Sequence, residues 1–140
     1  MMRLEHVNLV VRDIEKTLHF YQTIFPEWKV RAEGRGTWLD KPRQWIHFGD
    51  DYHYIAFSDN GEGENRDLSG HQTGLGHFAY VTDDMDGLIL RLTRAGYSID
   101  KVGVENPFRR NIYLVDPNGF EVEFVQYFSE KPEERNNTLT

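Results

Sequence analysis

The sequence predicts an α+β fold made of two tandem βαβββ modules. Three observations carry that prediction. A strand, a helix cap and a helix start occur together at "LEHVNLVVRDIEKTLHFY" and again at "LGHFAYVTDDMDGL". A single offset of 71 residues superposes these starts, taking His6 to His77, Asp13 to Asp84, Ile14 to Met85, Leu18 to Ile89 and Tyr21 to Leu92. Three strand-like stretches then follow each helix, so the whole unit repeats. Each half has too little apolar material to stand well alone, and the two halves are expected to pair.

The elements follow in order. The run from Leu4 to Val11 is apolar and rich in β-branched residues, as a buried strand requires. Asp13 offers an N-cap and Glu15 a first-turn acid. Ile14, Leu18, Tyr21, Ile24 and Phe25 recur at helical spacing until Pro26 ends the helix. Strands are expected around Trp28–Ala32, Trp45–Gly49 and Tyr52–Ser58. Asp59–Gly74 is polar and glycine-rich, and reads as a linker. After the restart, Met85, Leu88, Ile89, Leu92 and Ala95 form the apolar face of the second helix, with Gly96 as its C-cap. Strands follow near Tyr97–Val104, Arg110–Val115 and Phe120–Tyr127. The turn "DPNG" at 116–119 joins the last two. The expected division is a first module over 1–60, a linker over 61–74, a second module over 75–128 and a polar, frayed tail over 129–140.

Composition narrows the function classes. A chain of 140 residues with 39% hydrophobic content folds around a core. It contains no cysteine, which excludes disulfides and cysteine-based zinc sites. A net charge of −7 argues against nucleic acid or an anionic membrane as the partner. The N-terminal run is too short and too interrupted by charge for a signal peptide or a membrane span, so the cytoplasm is the expected location.

The chemistry is concentrated in a few positions. His6 and His77 occupy equivalent places on the first strands of the two modules. A single histidine is more often structural than a ligand, and their equivalence in the repeat is what singles them out. On the last strand, "FEVEFVQY", side chains alternate, so Glu121, Glu123 and Val125 share one face. The other face, with Phe120, Val122 and Phe124, is apolar and should pack on the helices. An unpaired carboxylate on a buried strand is costly, and a metal ion or a water-filled cleft would offset that cost. Two histidines and one carboxylate with open positions suit Fe(II), and also accommodate Mn, Co, Ni or Zn. Counting back from Glu123 by the same offset reaches Tyr52, and a small insertion would select Tyr54 or Ala56 instead. Tyr52, Tyr54 and Trp38 are candidates to line the substrate pocket. Arg109 or Arg110 is a candidate to meet an anionic group.

These stretches, together with "DPNGFEVEFVQ", resemble the vicinal oxygen chelate superfamily of glyoxalases, bleomycin-resistance proteins and extradiol dioxygenases. The resemblance spans about Leu4 to Tyr127. It implies paired βαβββ modules in an open, U-shaped mixed sheet around a metal, with helices outside. Carried over by motif, His6, His77 and Glu123 are the ligands of a divalent metal, Fe(II) or Mn before Zn, Ni or Co. Glyoxalase I-like members usually add a Glu or Gln at the place of Ala56. Its replacement here points to three-ligand branches, the ring-cleaving dioxygenases and the thiol transferases that inactivate fosfomycin. By analogy with the dioxygenases, Tyr113 would contact a substrate oxygen and His71 would serve as acid or base. The implied function is a metal-dependent dioxygenase or lyase acting on a small oxygen-bearing substrate, working as a homodimer. The alternative is a metal-free protein that sequesters an aromatic or cationic drug in the same groove.

Overall fold

A computed structural model describes residues 1–138. The chain divides into two units, Met1–Glu64 and the part from Asn65 onward. Each is a βαβββ module with an open, mixed four-stranded sheet, so the fold class is the α+β class expected.

The first unit contains β1 (His6–Val10), α1 (Ile14–Ile24), β2 (Lys29–Trp38), β3 (Lys41–Gly49) and β4 (Tyr54–Ser58). Its sheet order is β1-β4-β3-β2, with β1 and β4 parallel and the other pairs antiparallel. Asp13 caps α1 by accepting a hydrogen bond from the Lys16 amide at 3.0 Å. The helix ends where Phe25 donates to the Tyr21 carbonyl and Pro26 has no amide to continue the ladder. Its buried face, with Phe20, Tyr21 and Ile24, meets the alternate sheet positions Leu9, Ile46, Phe48, Ile55 and Phe57. Tyr21 and Phe57 approach to 5.3 Å between ring centroids, which ties helix to sheet.

The second unit repeats the plan with β5 (Phe78–Val81), α2 (Met85–Arg94), β6 (Lys101–Val102), β7 (Arg109–Val115) and β8 (Glu121–Tyr127), followed by a helical turn α3 (Pro132–Arg135). Its sheet order is β5-β8-β7-β6, with β5 and β8 parallel. Met85, Leu88 and Leu92 of α2 are buried, as are Ile112, Leu114, Val122 and Phe124 of the sheet. Asp84 accepts from the Gly87 amide at 2.9 Å. At the other end Gly96 takes a φ of +84°, and the Gly96 and Tyr97 amides return to the Thr93 and Leu92 carbonyls. That closure satisfies two orphan carbonyls and turns the chain out of the helix. Replacing Asp84 by alanine should cost about 1 kcal/mol, read as a shift in the urea midpoint; no shift would mean the cap does not hold α2.

Three local features differ from the sequence expectations. The strands β2 and β3 are longer than their apolar stretches and meet in a two-residue turn, Leu39-Asp40, with both φ angles positive. β6 has only two residues, Lys101 and Val102, where a strand over 97–104 was expected. The tail is not free through residue 137. Arg135 lies 4.0 Å over the Tyr127 ring, and Arg109 donates to the carbonyls of Arg135 and Asn137. Residues 139–140 of the predicted tail lie outside the described residues.

Candidate functional site

Each sheet buries one face against its helix and presents the other. In the second unit the presented face carries a compact polar cluster. Ala79 of β5 pairs with Glu123 of β8, and Glu123 pairs in turn with Tyr113 of β7. His77 stands immediately before β5, so its ring reaches both glutamates of β8. Its Nε2 lies 3.1 Å from Glu123 Oε2, and its Nδ1 lies 3.5 Å from Glu121 Oε1. Glu121 is 7% exposed, and its second oxygen lies 3.2 Å from Lys101 Nζ. Hydrogen bonding to Glu121 and its negative charge raise the Lys101 pKa above its ordinary value. The lysine stays charged and offsets the cost of burying that carboxylate.

Glu123 is held from the other side. Asn111 Nδ2 donates to Glu123 Oε1 at 3.0 Å, and also lies 3.3 Å from the Tyr113 hydroxyl. Asn111 and Tyr113 share this face because they sit two apart on β7. A Cβ at Gly103 would run into the Asn111 carboxamide and displace it. The Tyr113 ring meets the His77 ring edge-on at 5.5 Å, with Lys101 Nζ 5.0 Å from its centroid. Burial first, and then the charge of Glu123, raise the Tyr113 pKa. The phenol therefore keeps its proton at neutral pH and is a donor there.

The first unit presents a different surface. Four rings touch in sequence: Trp45 and His47 at 4.9 Å, His47 and Tyr54 at 4.5 Å, Tyr54 and His6 at 4.6 Å with only 9° between planes. Arg31 lies 4.7 Å over Tyr54. His6 Nδ1 contacts Glu5 Oε1 at 2.9 Å, which leaves Nε2 as its other nitrogen. Burial, then the charges of His6 and Arg31, lower the His47 pKa. Asn8 pairs with Ala56, as Ala79 pairs with Glu123, so Ala56 occupies in this module the place that Glu123 occupies in the other. His47 pairs with Ala56 as Tyr113 pairs with Glu123.

Of the expected site residues, His77, Glu123 and Tyr113 are thus together in the second unit, and His6 and Tyr54 are together in the first. Trp38 ends β2 with Arg43 5.1 Å over its ring. Tyr52 lies in the β3–β4 connection and is 73% exposed. Arg110 is drawn to Asp86 of α2 at 2.7 Å, whereas Arg109 shares the face of Asn111 and Tyr113. His71 is exposed in the segment before β5, with no described hydrogen bond or ion pair. Asn111, Lys101 and His47 were not singled out in the sequence. Alternation along "RRNIYLV" puts Asn111 on the Tyr113 face, and that was the available signal.

The donor types suit a divalent cation. An imidazole nitrogen and a carboxylate oxygen face one another, and the carboxylate is oriented by an amide. Among the described residues, no group of three or more His, Cys, Asp or Glu side chains is gathered so as to hold a metal ion. Nor, among them, is any helix long and apolar enough to cross a membrane.

Two βαβββ modules in tandem, each with an open mixed four-stranded sheet, define the fold class. The chain belongs to the Glyoxalase/Bleomycin resistance protein/Dioxygenase superfamily, whose profile matches residues 3–124. It is 30% identical over 135 aligned residues to the lactoylglutathione lyases of Neisseria meningitidis serogroups A and B, covering 89% of this chain and 91% of theirs. Its fold is shared with a glyoxylase/bleomycin resistance protein/dioxygenase domain from Frankia sp. EAN1pec (TM-score 0.74, 24% identity, 98% and 99% of the two chains). It is shared too with the fosfomycin resistance protein FosX of Listeria monocytogenes, crystallised with Mn(II) and sulfate (TM-score 0.64, 22% identity, 98% and 99%).

Proposed function

We propose that the protein is a divalent-metal-dependent enzyme of the lyase or isomerase type. It acts on a small substrate that offers two neighbouring oxygens, in the cytoplasm and as a homodimer. The observation that carries this reading is the His77–Glu123 contact at 3.1 Å, braced by Asn111. His77, Glu123 and His6 would hold the cation, with Mn or Fe(II) first among the candidates. A bound cation would supply Lewis acidity to the two substrate oxygens.

The chain's own residues do the rest. Asn111 fixes the orientation of the Glu123 carboxylate and keeps its second oxygen from rotating away. Tyr113, protonated at neutral pH, donates a hydrogen bond to an oxygen that gains negative charge. Lys101 keeps positive potential beside the Tyr113 ring and favours the same charge. The curated relatives at 30% identity are lyases, which supports lyase-type chemistry over ring cleavage. Ala56 at the Glu123 counterpart separates the donor set from a four-ligand one and argues for a different substrate from theirs.

The test is metal binding by the purified protein with Mn(II) or Fe(II). Wild type should bind stoichiometrically, and His6→Ala should weaken binding. Asn111→Ala should lower affinity about 10- to 100-fold, as loss of a carboxylate's orienting partner does. Oxygen uptake with a catechol panel should stay silent; uptake would restore the dioxygenase branch. Absence of bound metal under both conditions would remove the basis of the enzyme reading. It would favour sequestration of an aromatic or cationic molecule, for which the ring series Trp45–His47–Tyr54–His6 is the supporting feature.

A further inference from the structure

The second unit has a cavity of about 660 Å³ beside the polar cluster, on the β6–β7 side. That lies within the usual range of roughly 300–1,000 Å³ for a small-molecule site. Three apolar side chains that line it, Val102, Val104 and Phe128, are mostly exposed. Exposed apolar groups gathered around one concavity mark a binding surface. Asn111 lines the same cavity and donates to Glu123, so cavity and candidate cation site share a wall.

Two arginines also line it, and they differ. Arg110 is neutralised by Asp86. Arg109 is half-buried and, among the described residues, donates to the main-chain carbonyls of Arg135 and Asn137. Among the described residues no carboxylate pairs with it. Glu105 also lines the cavity and is exposed, and no ion pair joins it to Arg109. A half-buried guanidinium with no counter-ion among the described residues, next to apolar walls, is suited to an anion brought in by a ligand.

We propose that this cavity binds the far end of the substrate: an apolar body bearing a singly charged acidic group that pairs with Arg109. The inference rests on the function proposed above, since the substrate's two oxygens would sit at His77 and Glu123 while its apolar part passes Asn111.

The experiment uses metal-free, full-length protein in chelator, titrated with two fluorescent probes. Anilinonaphthalene sulfonate is an apolar monoanion, and phenylnaphthylamine is its uncharged analogue. Wild type should bind both, with one anionic dye per chain. Arg109→Gln should weaken the anionic dye about tenfold, the loss of one charge-assisted hydrogen bond, and leave the neutral dye unchanged. Arg109→Lys should retain most of the affinity, although it cannot clamp the tail in the same way. Val104→Glu, at an exposed position, should lose both dyes. The proposal is overturned if Arg109→Gln binds the anionic dye as wild type does. It is also overturned if both Arg109 variants lose both dyes, which would make Arg109 only a clamp for the tail. A Val104→Glu protein that binds like wild type would place the dye elsewhere and overturn it too. No metal is present in this titration, so its failure is distinct from failure of metal binding.

Discussion

Glu123→Gln is expected to abolish specific Mn(II) binding, lowering affinity by more than about a hundredfold, beyond the loss expected for an orienting partner. The substitution keeps size and shape. It replaces an anionic oxygen facing His77 with a neutral amide, and Asn111 can still donate to the remaining carbonyl. The fold should therefore be unaffected, which a wild-type thermal midpoint and far-ultraviolet spectrum would verify. Equilibrium dialysis or calorimetry with Mn(II) reads the affinity. A folded Glu123→Gln protein that binds Mn(II) as wild type does would remove Glu123 from the ligand set. Tyr52→Phe is the matched control, because Tyr52 is solvent-exposed and outside both sheets, and it should leave binding unchanged.

The second large effect lies in the core. Phe57→Ala should destabilise the protein by about 3–5 kcal/mol, the range for truncating a fully buried phenylalanine. Phe57 is 0% exposed. It sits on β4 between Leu9 of β1 and Ile46 of β3, and its ring meets Tyr21 of α1. Removing it empties the junction of helix and sheet, where neighbours on two strands are themselves fixed by their ladders. Urea unfolding measures the loss. A change under about 1 kcal/mol would contradict the packing described, because only a surface-like site tolerates such a truncation.

Much of the fold was legible because strong local signals agree with tertiary demand. Asp13 and Asp84 cap helices whose apolar spacing is unambiguous, and Asp116 with Gly119 specifies the last turn. The Asp116 side chain accepts from the Asn118 and Phe120 amides, and Gly119 takes a φ of +82°. The extent of β2 and β3 was not legible. "AEGRGTWLDKPRQ" has charged residues and threonine on one face of β2 and mostly alanine and glycine on the other, and main-chain pairing extends those strands without a sustained apolar pattern. Alternation along β8 correctly set Glu121 and Glu123 apart from Val122 and Phe124. Matching the modules beyond their helices was harder. The first module's longer β2–β3 hairpin breaks the constant offset, so Tyr52 is reached by counting and Ala56 by pairing. Alternation put Asn111 on the Tyr113 face, but Lys101 and Asn111 were passed over because their partners, Glu121 and Glu123, lie on another strand and meet them only in the folded sheet. Composition does not encode that.

His77 and Glu123 meet across β5 and β8, a parallel pair with α2, β6 and β7 between them in the chain. The β7–β8 hairpin needs only one turn to close. Closing the longer loop costs more chain entropy than closing the hairpin. The two side chains come from segments far apart in the chain, so their juxtaposition exists only in the folded sheet, and an unfolded chain has no preformed place for a cation. A cation that recognises only the finished arrangement stabilises it by mass action. The ion's concentration in the cell would then help set the lifetime of the native protein as well as its occupancy.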